Sequence, residues 1–158
     1  MIAIKIKQPK VFMSKLLTSD TFDRFLLEEA QIETFNTFTI NGRIHKDFYK
    51  GSSDVENPDD LGEFSEWERL RPICLDLIKG KQTPLKLKFV LRLADKDKEG
   101  ISPLEFSPCI NISYSSGEII VITGISYSTF TLDKDAEKAW DKYIPSFLES
   151  NGIDIELI

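Results

Sequence analysis

Leu85-Lys86-Leu87-Lys88-Phe89-Val90-Leu91-Arg92-Leu93 sets a large apolar side chain at every odd position and Lys86, Lys88, Val90 and Arg92 at the even ones. A period of two is the mark of a β-strand, whose successive side chains point to opposite faces of a sheet. One face of this strand is core and the other is cationic. Such a strand needs paired neighbours and an apolar cover for its inner side, so the search for both runs outward from here.

Toward the C-terminus, Ile110 to Tyr114, a Ser115-Ser116-Gly117 turn and Glu118 to Thr123 read as a hairpin. Its second strand is apolar at successive positions, Ile119-Ile120-Val121-Ile122, which predicts a central strand covered on both faces. Ile153, Ile155 and Leu157 form a last strand. Toward the N-terminus, Ile2, Ile4 and Ile6 alternate with Ala3, Lys5 and Lys7 as a first strand. The stretch Leu27 to Ile44 is rich in Thr, Phe and Ile and reads as one long strand or two. Asn41-Gly42 is the expected reversal, because it supplies the positive φ angles of a tight hairpin. Lys50 to Glu63, dense in Gly, Ser, Pro and acids, is a surface loop.

The cover comes from helices. Pro9 opens one that carries Val11, Phe12, Met13 and Leu16 inward, and Asp20 or Thr21 caps a short turn holding Phe22, Phe25 and Leu26. Ser65-Glu66-Trp67-Glu68 has the form of a capping box and starts a helix with Trp67, Leu70, Cys74, Leu77 and Ile78 on one face and Gly80 as its stop. Pro72 should bend it or open a second helix. Asp133 caps a final helix with Ala136, Trp140, Tyr143 and Phe147 inward and Asn151-Gly152 as its end. The pattern is α+β: a largely antiparallel sheet with about three helices packed on it, in a single domain spanning residues 1–158.

Two segments echo one another. Thr34-Phe35-Asn36-Thr37-Phe38-Thr39-Ile40-Asn41 returns as Ser126-Tyr127-Ser128-Thr129-Phe130-Thr131-Leu132-Asp133, and each copy is followed by a tryptophan-to-proline run, Trp67 to Pro72 and Trp140 to Pro145. The same order twice predicts an internal duplication about a pseudo-twofold axis, with Phe38 and Phe130 both in the core.

The chain has 158 residues, a net charge of −6 and 41% hydrophobic content. A domain of this size buries roughly 70% of its unfolded surface and needs no disulfide staple. The acidic balance repels phosphate backbones and anionic membranes, so nucleic acid is an unlikely partner overall. No apolar run approaches the roughly 20 residues that span a bilayer, and the N-terminus lacks the form of a signal peptide, which predicts a cytoplasmic protein. Cys74 and Cys109 read as reduced, buried thiols.

Chemistry has few places to reside. Asp95 to Phe106 imitates a calcium loop, but position 12 is Phe106 where a bidentate Glu is required. With one histidine and two isolated cysteines no zinc site is expected, and the absence of glycine-rich phosphate loops leaves no cofactor implied. Glu28 and Glu29, adjacent on a strand, should face opposite sides and so not cooperate as acid and base. Arg43, His45, Asp47 and Tyr49 gather a guanidinium, an imidazole, a carboxylate and a phenol in one short stretch, the candidate catalytic segment for a small anionic substrate. Lys86, Lys88 and Arg92 form a candidate anion-binding face through which nucleic acid would be contacted.

Ile2 to Ile6, Phe12 to Leu17, Asp20 to Asp23, Thr34 to Arg43 with Lys46-Asp47-Phe48, Trp67 with Leu70-Arg71-Pro72 and Leu77 to Gly80, and Thr129 to Asp133 together resemble a family of small bacterial proteins described as a domain of unknown function. The resemblance runs through nearly the whole chain and carries over no catalytic residues. The expectation is a non-enzymatic binding or interaction module, with the partner open between another protein and a second copy of the chain.

Overall fold

The computed structural model describes every residue except Leu104, Ser128 and Thr129. Seven strands form one antiparallel sheet: β1 (Ala3–Ile6), β2 (Phe25–Glu33), β3 (Thr37–Asn41), β4 (Lys86–Leu93), β5 (Ser107–Ser115), β6 (Glu118–Ser126) and β7 (Ile155–Leu157), in the order β3-β2-β4-β5-β6-β1-β7. The helices are α1 (Pro9–Thr18), α2 (Trp67–Ile78), the single turn α3 (Asp95–Lys98) and α4 (Asp135–Ser150). The fold is α+β, as the sequence predicts.

The alternation in β4 decides which side is covered. Leu91 lies opposite Leu27, Phe89 opposite both Ala30 and Ile112, Ile112 opposite Val121 and Val121 opposite Ile4. These rows run across the sheet on one face, since directly opposed residues share a side. They join one buried cluster with Phe12, Leu16 and Leu17 of α1, Trp67 and Cys74 of α2, and Trp140, Ile144, Phe147 and Leu148 of α4. Three helices therefore cover the same face. The opposite face carries Lys86, Lys88, Ser113 and Lys5 and has no helix on it. Consequently β6 is interior in the strand order, as expected, but Ile120 and Ile122 on its second face are only half-buried.

Both tryptophans are fully buried and tie elements together through their indole N–H groups. Trp67 donates to the Leu16 carbonyl at 2.9 Å and Trp140 to the Cys109 carbonyl at 2.9 Å. Phe22 sits among Phe12, Phe25 and Phe147 at ring separations of 5.6 to 5.9 Å, a mixture of edge-on and tilted contacts that aromatic quadrupoles favour. The β5–β6 hairpin closes on Ser116 and Gly117, both at positive φ (53° and 79°), as a two-residue turn between twisted strands requires.

Several expectations are corrected. The β2–β3 reversal is at Thr34–Asn36, where the Thr34 amide donates to the Asn36 carbonyl at 3.0 Å, and not at Asn41-Gly42. Gly42 is instead where the chain crosses β2: a Cβ there would lie 1.7 Å from the Leu27 carbonyl oxygen. The capping box does not form, because Ser65 is spent in the same crossing. Its amide donates to the Gly42 carbonyl and its carbonyl accepts from the Leu27 amide, at 2.8 and 2.9 Å, and α2 starts after Glu66. That helix continues through Pro72 without a second start. Asp133 holds the entry to α4 by accepting from the Asp135 amide at 2.8 Å, one residue ahead of the cap itself. Phe25 and Leu26 belong to β2, and Val11 faces outward, 37% exposed.

The two echoing octets do not adopt one structure. The first is the β2–β3 turn followed by β3; the second leaves β6 at Ser126 and continues from Phe130 as a loop, with Ser128 and Thr129 outside the described residues. Phe38 packs on the core, whereas Phe130 is 90% exposed. An internal duplication is not shown.

Candidate functional site

The candidate catalytic segment is dispersed by its own partners. Arg43 pairs with Glu63 at 2.7 Å, and Asp47 pairs with Lys50 at 2.9 Å, a contact that holds its carboxyl below the ordinary carboxylate value. Tyr49 accepts a hydrogen bond from the Arg69 guanidinium, whose carbon stands 5.7 Å from the centre of the Tyr49 ring. His45 is exposed and precedes the 3₁₀ turn Lys46–Tyr49. Among the described residues the carboxylate and the phenol of this segment thus have different partners, Lys50 and Arg69, and His45 acts on Asp47 through charge alone, without a hydrogen bond.

Arg43 instead joins Arg92, from the candidate cationic face. The two guanidinium carbons stand 5.2 and 5.8 Å from the centre of the Phe64 ring. A β-bulge builds this corner: Leu27 is opposite Leu91 and Glu29 opposite Val90, which leaves Glu28 as the extra residue and turns it to the uncovered face. There Glu28 grips Arg92 through two hydrogen bonds of 2.8 and 3.3 Å. Glu28 and Glu29 line one polar hollow of about 260 Å³ with Thr39, Asn41, Arg43 and Phe64, so the two carboxylates share a face, contrary to the expectation from simple alternation. The Cys109 thiol, opposite Arg92 in the register, is pushed up chiefly by burial, with Arg92 pulling the other way. That environment does not favour a thiolate nucleophile. Lys86 and Lys88 remain exposed, so of the three cationic-face residues Arg92 alone is committed to a carboxylate.

The roomier concavity lies elsewhere and is apolar. A groove of about 810 Å³ runs between Pro9, Val11, Met13 and Leu17 of α1, Ile78 at the end of α2, Thr83 and Pro84 ahead of β4, and Leu87 and Tyr114 on the sheet, with Gln8, Lys10 and Gly117 also on its wall. Its walls are thus α1, the C-terminal end of α2, the approach to β4 and the β5–β6 turn at Gly117. Tyr114 contributes a half-buried ring, and its hydroxyl has no hydrogen-bond partner among the described residues. The sequence reading missed this groove. Its only signal was Val11, an apolar residue assigned inward whose stripe is wider than the core needs.

Among the described residues no three histidine, cysteine or acidic side chains are grouped to hold a metal ion, and no helix is long and apolar enough to cross a membrane. In the calcium-like segment Lys98 takes the central place, its ammonium 3.0 Å from the Phe106 carbonyl and 3.1 Å from Asp95. No curated protein and no solved structure matches the chain. A family model does, over residues 15–156, reaching from the second half of α1 into β7; it takes in the bulge and six of the seven strands and leaves out β1 and the groove residues Gln8 to Met13. The chain belongs to the family of unknown function DUF5721.

Proposed function

We propose that this protein is a non-enzymatic binding module that holds an apolar segment of a protein in the groove between α1, the end of α2 and the β4–β5 end of the sheet. The observation that carries the reading is the groove itself. Its volume lies within the range of natural ligand sites, and its lining is predominantly aliphatic with one aromatic ring and few polar side chains, Gln8, Lys10 and Thr83. It is open along one side, which suits a chain segment laid across it in the manner of groove-binding peptides. The polar hollow at the bulge lends less support to chemistry, because Arg43 in its lining already pairs with Glu63, and Glu28 in its lining already pairs with Arg92.

The test uses an apolar fluorescent probe, 1-anilinonaphthalene-8-sulfonate, with amide NMR to locate it. Saturable binding with shifts confined to Val11, Met13, Ile78, Thr83, Leu87 and Tyr114 is expected, and a Val11→Glu variant that melts like the parent should lose it. Shifts scattered over the sheet face, or no saturation, would overturn the reading.

A further inference from the structure

We infer that the occupant of the groove is a second copy of this chain, through its segment Phe130 to Asp133. The inference rests on the groove reading above and adds the identity of what fills it. Phe130 and Leu132 are 90% and 82% exposed, in the loop between β6 and α4. Phe35 and Phe48 are exposed too, but each rests edge-on against a neighbouring ring, Phe38 at 5.4 Å and Tyr49 at 5.5 Å. Phe130 has no ring contact among the described residues. An aromatic and a branched aliphatic side chain exposed two residues apart form the kind of pair that anchors interfaces when a pocket receives them.

Charge points the same way. Lys10 lines the groove and Lys15 and Lys81 line hollows that share its walls, none of the three ion-paired among the described residues, while Asp76 and Lys79 there pair with each other. In a chain with 26 acids and 20 Lys and Arg this local excess is of the opposite sign to the whole. The offered segment ends in Asp133 and runs on through Lys134 to Asp135, all three exposed, with the Lys134 ammonium 3.7 Å from Glu137. One end of the molecule is apolar with a cationic rim, and the other is apolar with acids behind it.

Gly117 on the groove wall precedes β6 and Ser126 ends it, nine residues of strand later, roughly 27 Å away at strand rise. The segment that follows β6 therefore sets out from the end of that strand remote from the groove, which favours the groove of another copy. Two copies lying side by side and antiparallel place each segment against the other's groove, giving a closed twofold dimer with two equivalent contacts.

Sedimentation velocity over a micromolar to millimolar concentration series reads the outcome. The parent should show a reversible monomer–dimer equilibrium. Phe130→Ser with Leu132→Ser, which touches no core residue, should weaken it about tenfold or more, as should Val11→Glu. Mixing the two variants leaves one intact contact of two, and should give a heterodimer tighter than either variant's homodimer. A peptide of residues 126–136 should compete and shift the Val11, Met13 and Tyr114 amides. A parent that stays monomeric throughout, or a serine variant that associates like the parent, overturns the inference. If the dye still binds in the groove of a monomeric protein, the groove reading survives and this one falls; if neither dye nor peptide binds, both fall.

Discussion

Gly42 shows how much a single residue can decide here. It is a glycine for want of space and not for its φ: the β3 exit crosses β2 so closely that a methyl group would overlap the Leu27 carbonyl oxygen. Main chain cannot swing aside as a side chain can, so Gly42→Ala should cost more than about 4 kcal/mol or abolish soluble expression, read by urea denaturation. Gly124 is the contrast. A Cβ there would stand 2.9 Å from the Cys109 sulfur, a thiol that can rotate, and Gly124→Ala should cost about 1 kcal/mol or less by the same measurement. Cys74 supplies a pH prediction. Burial raises its thiol from 9.0 to about 12, so the folded state favours the protonated form more than the unfolded chain does. The stability this represents is fully present below about pH 9 and is lost as pH rises toward 12. Melting temperatures of parent and Cys74→Ala should therefore converge as pH is raised from 8 to 11; a constant gap would show that the thiol's titration does not matter.

At the scale of elements, α2 and α4 are each held by one tryptophan and its hydrogen bond. Trp67 pins α2 to the end of α1 and stacks edge-on against Phe89 at 5.5 Å, while Trp140 pins α4 to β5 and lies over Tyr143 at 5.6 Å. Truncating either to alanine should cost about 3 to 5 kcal/mol, because a large cavity opens in a packed core. Phenylalanine replacements separate the two roles: they keep most of the packing and orphan the Leu16 or Cys109 carbonyl, for about 1 to 3 kcal/mol. A Trp67→Phe protein as stable as the parent would show that the indole N–H contributes nothing. The prolines are consistent with this picture. Pro72 and Pro145 each remove one backbone donor from the middle of a helix, so these helices depend on what they pack against more than on their own ladders.

For the molecule as a whole, one apolar cluster runs through the sheet and all three long helices. Among the described residues that cluster reaches from β2 to β6, and the loop from Gly42 to Glu66 is stitched to β2 at both ends, through the Glu28 carbonyl and through the Leu26–Glu66 bridge. Unfolding should therefore be one cooperative event, with tryptophan fluorescence and far-ultraviolet circular dichroism giving the same midpoint in urea. Midpoints that separate would mean that the β1–β5–β6–β7 side and the β2–β3–β4 side unfold independently.

What the sequence by itself determined is the class of object. Alternation in Leu85 to Leu93, the hairpin signal at Ser116-Gly117 and the helical stripes around Trp67 and Trp140 are local, set by side-chain period and turn chemistry, and each appears in the fold where it was read. What only the tertiary structure decided lies where distant segments meet. Gly42 reads as a turn residue until β2 is seen beneath it, and Ser65 reads as a helix cap until the crossing claims its amide. Glu28 and Glu29 read as opposed until the bulge turns both outward, and Phe130 reads as core until it proves 90% exposed. The groove, too, is a gap between elements. Period records how a residue relates to its near neighbours in sequence, whereas these outcomes depend on which backbone passes within a few ångströms.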